Sequence, residues 1–144
     1  MTEVLQNSLW LGNAMDIRDS RRLFDLGIEA VVDVAAEEPP AQLPRQMIYC
    51  RFPLNDGTGN NPFVLRQTVQ TIVDCLVHEK KTVVACSAGM SRSPTVSAFA
   101  IGVFMDRNPE EIVAEIAMNR SLEINRLLWS DVATISQKVV RQRT

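Results

Sequence analysis

The apolar run Thr82-Val83-Val84-Ala85 leads directly into Cys86-Ser87-Ala88-Gly89-Met90-Ser91-Arg92-Ser93, and that segment leads directly into Pro94-Thr95-Val96. A short apolar run bounded by turn residues reads as a buried strand. Pro94 suits the first turn of a helix, where its missing N–H is no loss. The chain must therefore pass from strand to helix through one tight loop. Backbone amides of such a loop converge at the helix N-terminus and form an anion site. Gly89 gives the loop a conformation that a side chain would forbid. Amide dipoles and the Arg92 guanidinium favour the thiolate of Cys86. Arg92 also offers a planar fork able to hold two phosphoryl oxygens at once, and the Ser93 hydroxyl can donate to the sulfur. The bare Cys-to-Arg spacing arises by chance in roughly one comparable chain in four, but the inner glycine and the hydroxyl after the arginine reduce this to about one in a thousand. The competing interpretation is an inert cysteine at a strand end with Arg92 in an ordinary ion pair.

Attack on phosphorus needs a proton donor for the leaving oxygen. Asp56, in Asn55-Asp56-Gly57-Thr58-Gly59, lies in a Gly/Asn-rich stretch that reads as a surface loop. Taken alone it is ordinary turn chemistry; beside the Cys86 loop it becomes the candidate general acid.

Val4-Leu5 and Leu9-Trp10-Leu11 read as short strands. Asp19-Ser20 caps a short helix that ends at Gly27. Ile28 to Val34 and Met47 to Phe52 read as further strands, with Glu37-Glu38-Pro39-Pro40 as loop between them. Asn61-Pro62 opens a long helix in which Leu65, Val69, Ile72 and Leu76 keep an apolar 4-3-4 spacing. A very apolar helix runs from Pro94 to about Met105. Asn108-Pro109-Glu110-Glu111 starts another, and Leu128, Val132, Ile135 and Val139 mark a terminal one. Strands alternating with helices in this order predict a single α/β domain over residues 1–144. Its central sheet is mainly parallel, with helices on both faces. The Cys86 loop falls at the carboxyl end of a central strand, where such folds place ligands.

Composition narrows the classes. The 144 residues carry a net charge of −2, which gives no support for broad binding to nucleic acid or membranes. No apolar stretch reaches the roughly 18 residues of a membrane span, and the polar N-terminus is unlike a signal peptide. Cysteines at 50, 75 and 86 are odd in number and widely spread, which argues against a disulfide framework. A working thiolate needs a reducing compartment, so a cytoplasmic location is expected. Cys50 and Cys75 read as small core residues, with the alternative that either traps an oxidised Cys86 as a disulfide; His78 reads as a solvated helix end, and Phe99 and Trp129 as core. Arg120 and Arg126 read as a solvated face by default, the alternative being that one of them lines the substrate rim, and Arg141 and Arg143 read as a frayed basic tail. With one histidine, a histidine-based metal site has no support.

Asp56, thirty positions before Cys86, and the stretch VVACSAGMSRSPT together resemble the dual-specificity branch of the cysteine-dependent protein tyrosine phosphatases. NSLWLGNAMD, LFDLGIEAVVDV and MNRSLEIN resemble segments that flank the phosphate loop in that family. The resemblance implies a hydrolase of phosphate monoesters that works through a phosphocysteine intermediate and needs no metal or cofactor. Its implied catalytic residues are Cys86 as nucleophile, Arg92 as phosphate clamp, Asp56 as general acid and Ser93 as the residue easing thiolate departure. Ser87, Ala88, Gly89, Met90, Ser91 and Arg92 form the implied phosphate-binding loop. Implied substrates are phosphorylated proteins, at phosphotyrosine or phosphoserine/threonine, or small phosphomonoesters. The family usually has histidine just before the nucleophile; here Ala85 stands there. That substitution supports an alternative, a phosphate-binding pseudophosphatase that recognises phosphorylated partners without turnover. Arsenate reductases and low-molecular-weight tyrosine phosphatases share the loop spacing, but their cysteine lies near the N-terminus and their acid follows it.

Overall fold

The structure is a computed structural model and describes residues 1–141. The described residues form five strands and five α-helices: β1 (Thr2–Leu5), β2 (Leu9–Gly12), α1 (Ser20–Asp25), β3 (Ala30–Ala35), β4 (Ile48–Leu54), α2 (Pro62–Val77), β5 (Thr82–Ala85), α3 (Arg92–Met105), α4 (Pro109–Ala117) and α5 (Arg126–Ser136), with a single 3-10 turn at Asp16–Arg18. Helix starts follow the side chains that cap them. Asp19 accepts from the Arg22 amide, Asn61 from Phe63, and Asn108 from Glu110. Asn125 accepts from both Leu127 and Leu128, so each of these helices satisfies otherwise orphaned N–H groups.

The strands form one sheet in the order β1-β2-β5-β3-β4. Only β1 with β2 is antiparallel; β2–β5, β5–β3 and β3–β4 are parallel. The expected mainly parallel sheet is therefore present, and β5 sits at its centre. Period-two alternation divides the core. Leu9, Leu11, Val32, Val34 and Val84 face one side, where α2 and α3 pack on the sheet and α4 and α5 pack in turn against those helices. Trp10, Val31, Val83 and Ala85 face the other side and pack with Ile17, Leu23 and Ile28. Helices flank both faces as expected, but unequally: one short helix and the β3–β4 connection cover the second face.

Two details differ from the sequence expectation. The helix after the Cys86 loop begins at Arg92 rather than at Pro94, so Arg92 belongs to its first turn. The C-terminal tail is not frayed at Arg141, whose guanidinium stacks over the Phe104 ring at 4.9 Å. Gln70 exchanges two hydrogen bonds with the Val140 backbone and ties the same segment to α2. Arg143 lies outside the described residues.

Leu128 is fully buried at the N-terminal end of α5, beneath the segment that reaches the loop. Leu128→Ala is expected to lower the unfolding free energy by about 2–5 kcal/mol, measured by urea denaturation.

Candidate active site

β5 ends at Ala85 and delivers Cys86 to the carboxyl edge of the sheet. The loop from Cys86 to Arg92 is held open as a cup because its carbonyls are taken by the surrounding chain. Ser87 O accepts from the Ala14 amide at 3.2 Å, Met90 O from the Glu123 amide at 2.9 Å, and Gly89 O from Arg120 Nε at 2.8 Å. Turning carbonyls outward orients amides inward, and the Gly89 N–H points at Cys86 Sγ from 3.2 Å. Gly89 has φ +72°, a conformation that favours glycine. A Cβ there would overlap the Arg120 guanidinium and lie 2.9 Å from the Gly12 carbonyl. Ser93 Oγ is 3.3 Å from Cys86 Sγ, close enough to donate to it.

Arg92 is buried, with only 7% of its side chain exposed. Its Nη1 donates to the Leu54 carbonyl (2.9 Å) and to Glu37 Oε1 (2.6 Å), while Nη2 donates to Glu37 Oε2 (2.7 Å). A guanidinium has five N–H donors. These contacts use three, and they leave Nε–H and the second Nη2–H, which share one edge. That edge matches two oxygens of a tetrahedral anion. The hydrogen bond from Arg92 holds the Glu37 carboxyl below its ordinary pKa of 4.5 despite some desolvation, and the same bond raises the guanidinium further. The bridge is therefore ionised at neutral pH.

Asp56 follows β4 and is fixed through its neighbours. Ser91 donates to Asp56 Oδ1 at 2.6 Å and accepts from the Asn125 amide at 2.9 Å, while Asn125 Nδ2 donates to the Asp56 carbonyl at 2.9 Å. Asp56 Oδ2 has no protein partner among the described residues. Asp56, Cys86, Ser87, Ala88, Met90, Ser91 and Arg92 all line one open pocket of about 310 Å³. Ser93 and Gly89 lie beneath it against the sulfur. The residues singled out from sequence thus converge in space.

Sequence reasoning missed several groups that shape this pocket. Glu37 and Glu38 read only as loop, yet Glu37 grips Arg92, and Glu38 accepts from Ser87 Oγ at 2.6 Å and pairs with Arg18 at 3.0 Å. Their position at the carboxyl end of β3, on the same sheet edge as the Cys86 loop, was the available clue. Arg120 was assigned to a solvated face; it is instead partly buried, donating to Gly89 O, to Thr2 Oγ1 and to the Leu11 carbonyl. Arg126 does remain at the surface, over the Trp129 ring and paired with Glu110. Cys50 and Cys75 are half-buried rather than core, and desolvation raises both thiols. Neither reaches Cys86. Cys50 is level with Val32 and Val84, two strands away from β5, which is about 10 Å sideways at ordinary strand spacing. Cys75 lies by Thr82, at the opposite end of β5. Both separations exceed the roughly 7 Å span of a disulfide.

Two outcomes follow from this geometry. Gly89→Ala should cost about 1–3 kcal/mol through backbone strain and the clash with Arg120, measured as a lower denaturation midpoint. Glu37 has a depressed folded pKa, so its contribution is present above the ordinary carboxylate value and is lost as pH falls through the folded value. Thermal melts from about pH 6 to about pH 3 should show a stability loss that is smaller in Glu37→Gln than in the parent chain.

No protein-family model matches this sequence, and no curated protein matches it by sequence. Among solved structures, human DUSP28 is similar at 20% identity and a TM-score of 0.83, with 96% of each chain covered. DUSP15 is similar at 23% identity and a TM-score of 0.76, covering 96% of this chain and 90% of that one. The human tyrosine phosphatase-like serine/threonine/tyrosine-interacting protein is similar at 19% identity and a TM-score of 0.82, with 96% of each chain covered. With this strand order and the Cys86 loop between β5 and α3, the chain has the fold of the dual-specificity phosphatases.

Proposed function

We propose that residues 1–144 form one cysteine-dependent phosphatase domain that hydrolyses phosphate monoesters, metal-independently, through a phosphocysteine intermediate. The observation that carries this reading is the buried Arg92, which lines the same pocket as Cys86 and Asp56 and keeps two N–H groups free of the Glu37 and Leu54 contacts. The Cys86 thiolate attacks phosphorus in line with the leaving oxygen. Loop amides and Arg92 hold the three equatorial oxygens as their charge builds. Asp56, with Oδ1 fixed by Ser91, gives a proton from Oδ2 to the departing oxygen. Asp56, now ionised, takes a proton from water, which attacks the phosphocysteine. Ser93 donates to the sulfur as it leaves, and inorganic phosphate is released.

Substrates in this reading are phosphorylated proteins or small phosphomonoesters, acted on in a reducing compartment such as the cytoplasm. Among the described residues no helix is long and apolar enough to cross a membrane. The pocket is open, in keeping with a phosphorylated residue presented on a larger molecule.

Cys86→Ser should abolish turnover of para-nitrophenyl phosphate, assayed with chelator present, while retaining phosphate binding by calorimetry. Retained turnover would remove the mechanism. Asp56→Ala should slow turnover by roughly 10² to 10⁴, the range for a lost general acid; an unchanged rate would mean a different donor.

Ala85 favours a second reading, a phosphate-binding pseudophosphatase. Its methyl is buried and brings no hydrogen-bonding group to the base of the loop. Iodoacetate separates the two. Rapid alkylation of Cys86 with protection by phosphate fits an enzyme, and slow, unprotected alkylation fits a binding module.

A further inference from the structure

The charges around the pocket bear on what carries the phosphate. Three carboxyl side chains, Glu37, Asp56 and Glu123, line it, and Arg92 is its one lining cation among the described residues. Glu37 already offsets the charge of Arg92 through both carboxylate oxygens. Of the other cations close to the loop, Arg18 pairs with Glu38, whereas Arg120 and Arg51 keep their charge because they donate to neutral backbone carbonyls, those of Gly89 and Leu11 and those of Ala35 and Glu38; none of the three lines the pocket. Glu123 is different. Its amide anchors it to Met90 O at 2.9 Å, so it cannot drift from the mouth, and its exposed carboxylate pairs with no cation among the described residues. Arg92, with two N–H groups left over, suits an anion in this pocket, and Glu123 adds an unpaired negative charge to its lining.

We propose that the site takes its phosphoryl group from a cationic polypeptide segment, one with Arg or Lys beside the phosphorylated residue, and that Glu123 selects for it. This rests on the reading of the pocket as a phosphate-monoester site. Further anions beside a dianionic phosphate would be brought against the Glu123 carboxylate, which pairs with no cation among the described residues, and would be repelled by it. Basic flanking residues turn the same rim into an attraction. Each flanking charge acts through solvent over several ångströms, which makes the effect about two- to five-fold per charge at low salt. Polyanionic carriers, such as a multiply phosphorylated lipid or the end of a nucleic acid strand, are disfavoured by the same argument.

The test uses the full chain carrying Cys86→Ser and fluorescein-labelled phosphotyrosine peptides that differ only in their flanking residues, which are dibasic, neutral or diacidic. A 5′-phosphorylated oligonucleotide is the fourth probe, and binding is read by anisotropy. The dibasic peptide, four charges away from the diacidic one, should bind at least roughly 16-fold tighter at low salt, and the gap should narrow in about 0.5 M salt. Adding Glu123→Lys should erase or reverse the order, which loss of a merely structural residue would not do. Equal affinities, tighter binding of the diacidic peptide or oligonucleotide, no binding of any peptide, or an order unmoved by Glu123→Lys would each overturn the proposal. Turnover of para-nitrophenyl phosphate by the parent chain reads separately on the phosphatase assignment. Flank-dependent binding without turnover would fell the reaction alone, and turnover without flank dependence would fell the selectivity alone.

Discussion

The bidentate pair between Arg92 and Glu37 is the contact on which the rest of the site depends. A buried guanidinium without partners would be strongly destabilising. Here the ion pair and the Leu54 carbonyl occupy three of its donors and set the plane of the other two. The partners come from the ends of β3 and β4, and Arg92 opens the helix that follows β5. One side chain therefore joins three adjacent parallel strands at their carboxyl edge. The cup for an anion is a consequence of that closure together with the loop carbonyls turned outward to Ala14, Arg120 and Glu123.

Asp56 is placed by a second, separate tie. Ser91 bridges it to the Asn125 amide, and Asn125 in turn caps α5. The loop carrying the proposed acid is thus coupled to the terminal helix, not only to the strand it follows. Ser91, which sequence reading gave only a place in the phosphate loop, has a positioning part as well. This arrangement engages Oδ1 and leaves Oδ2 without a protein partner among the described residues, as a proton donor requires.

Much of this was legible in the chain because local rules and tertiary structure agree. The apolar run before Cys86, the caps Asp19, Asn61 and Asn108, and the 4-3-4 spacing in α2 each specify an element by chemistry within a few residues. Groups that were missed act across long sequence separations. Glu37 meets Arg92 across 55 positions, and Arg120 meets Gly89 across 31. Nothing local distinguishes such a glutamate from a solvated one, because its role is set by where the sheet order places the end of β3. Arg141 was misread for a related reason, since its partner Phe104 lies on α3 and contributes no pattern to the tail.

The proposed chemistry has one obligatory species, a phosphoryl group on the sulfur of Cys86. Rapid acid quench of the parent chain during turnover of a phosphate ester, followed by mass spectrometry of the peptide containing Cys86, tests for it directly. Phosphoryl transfer through this pocket requires a phosphorylated Cys86 peptide that forms within one turnover and is absent from Cys86→Ser. Steady release of phosphate with no modification at Cys86, or with the phosphoryl group on another residue, would contradict it.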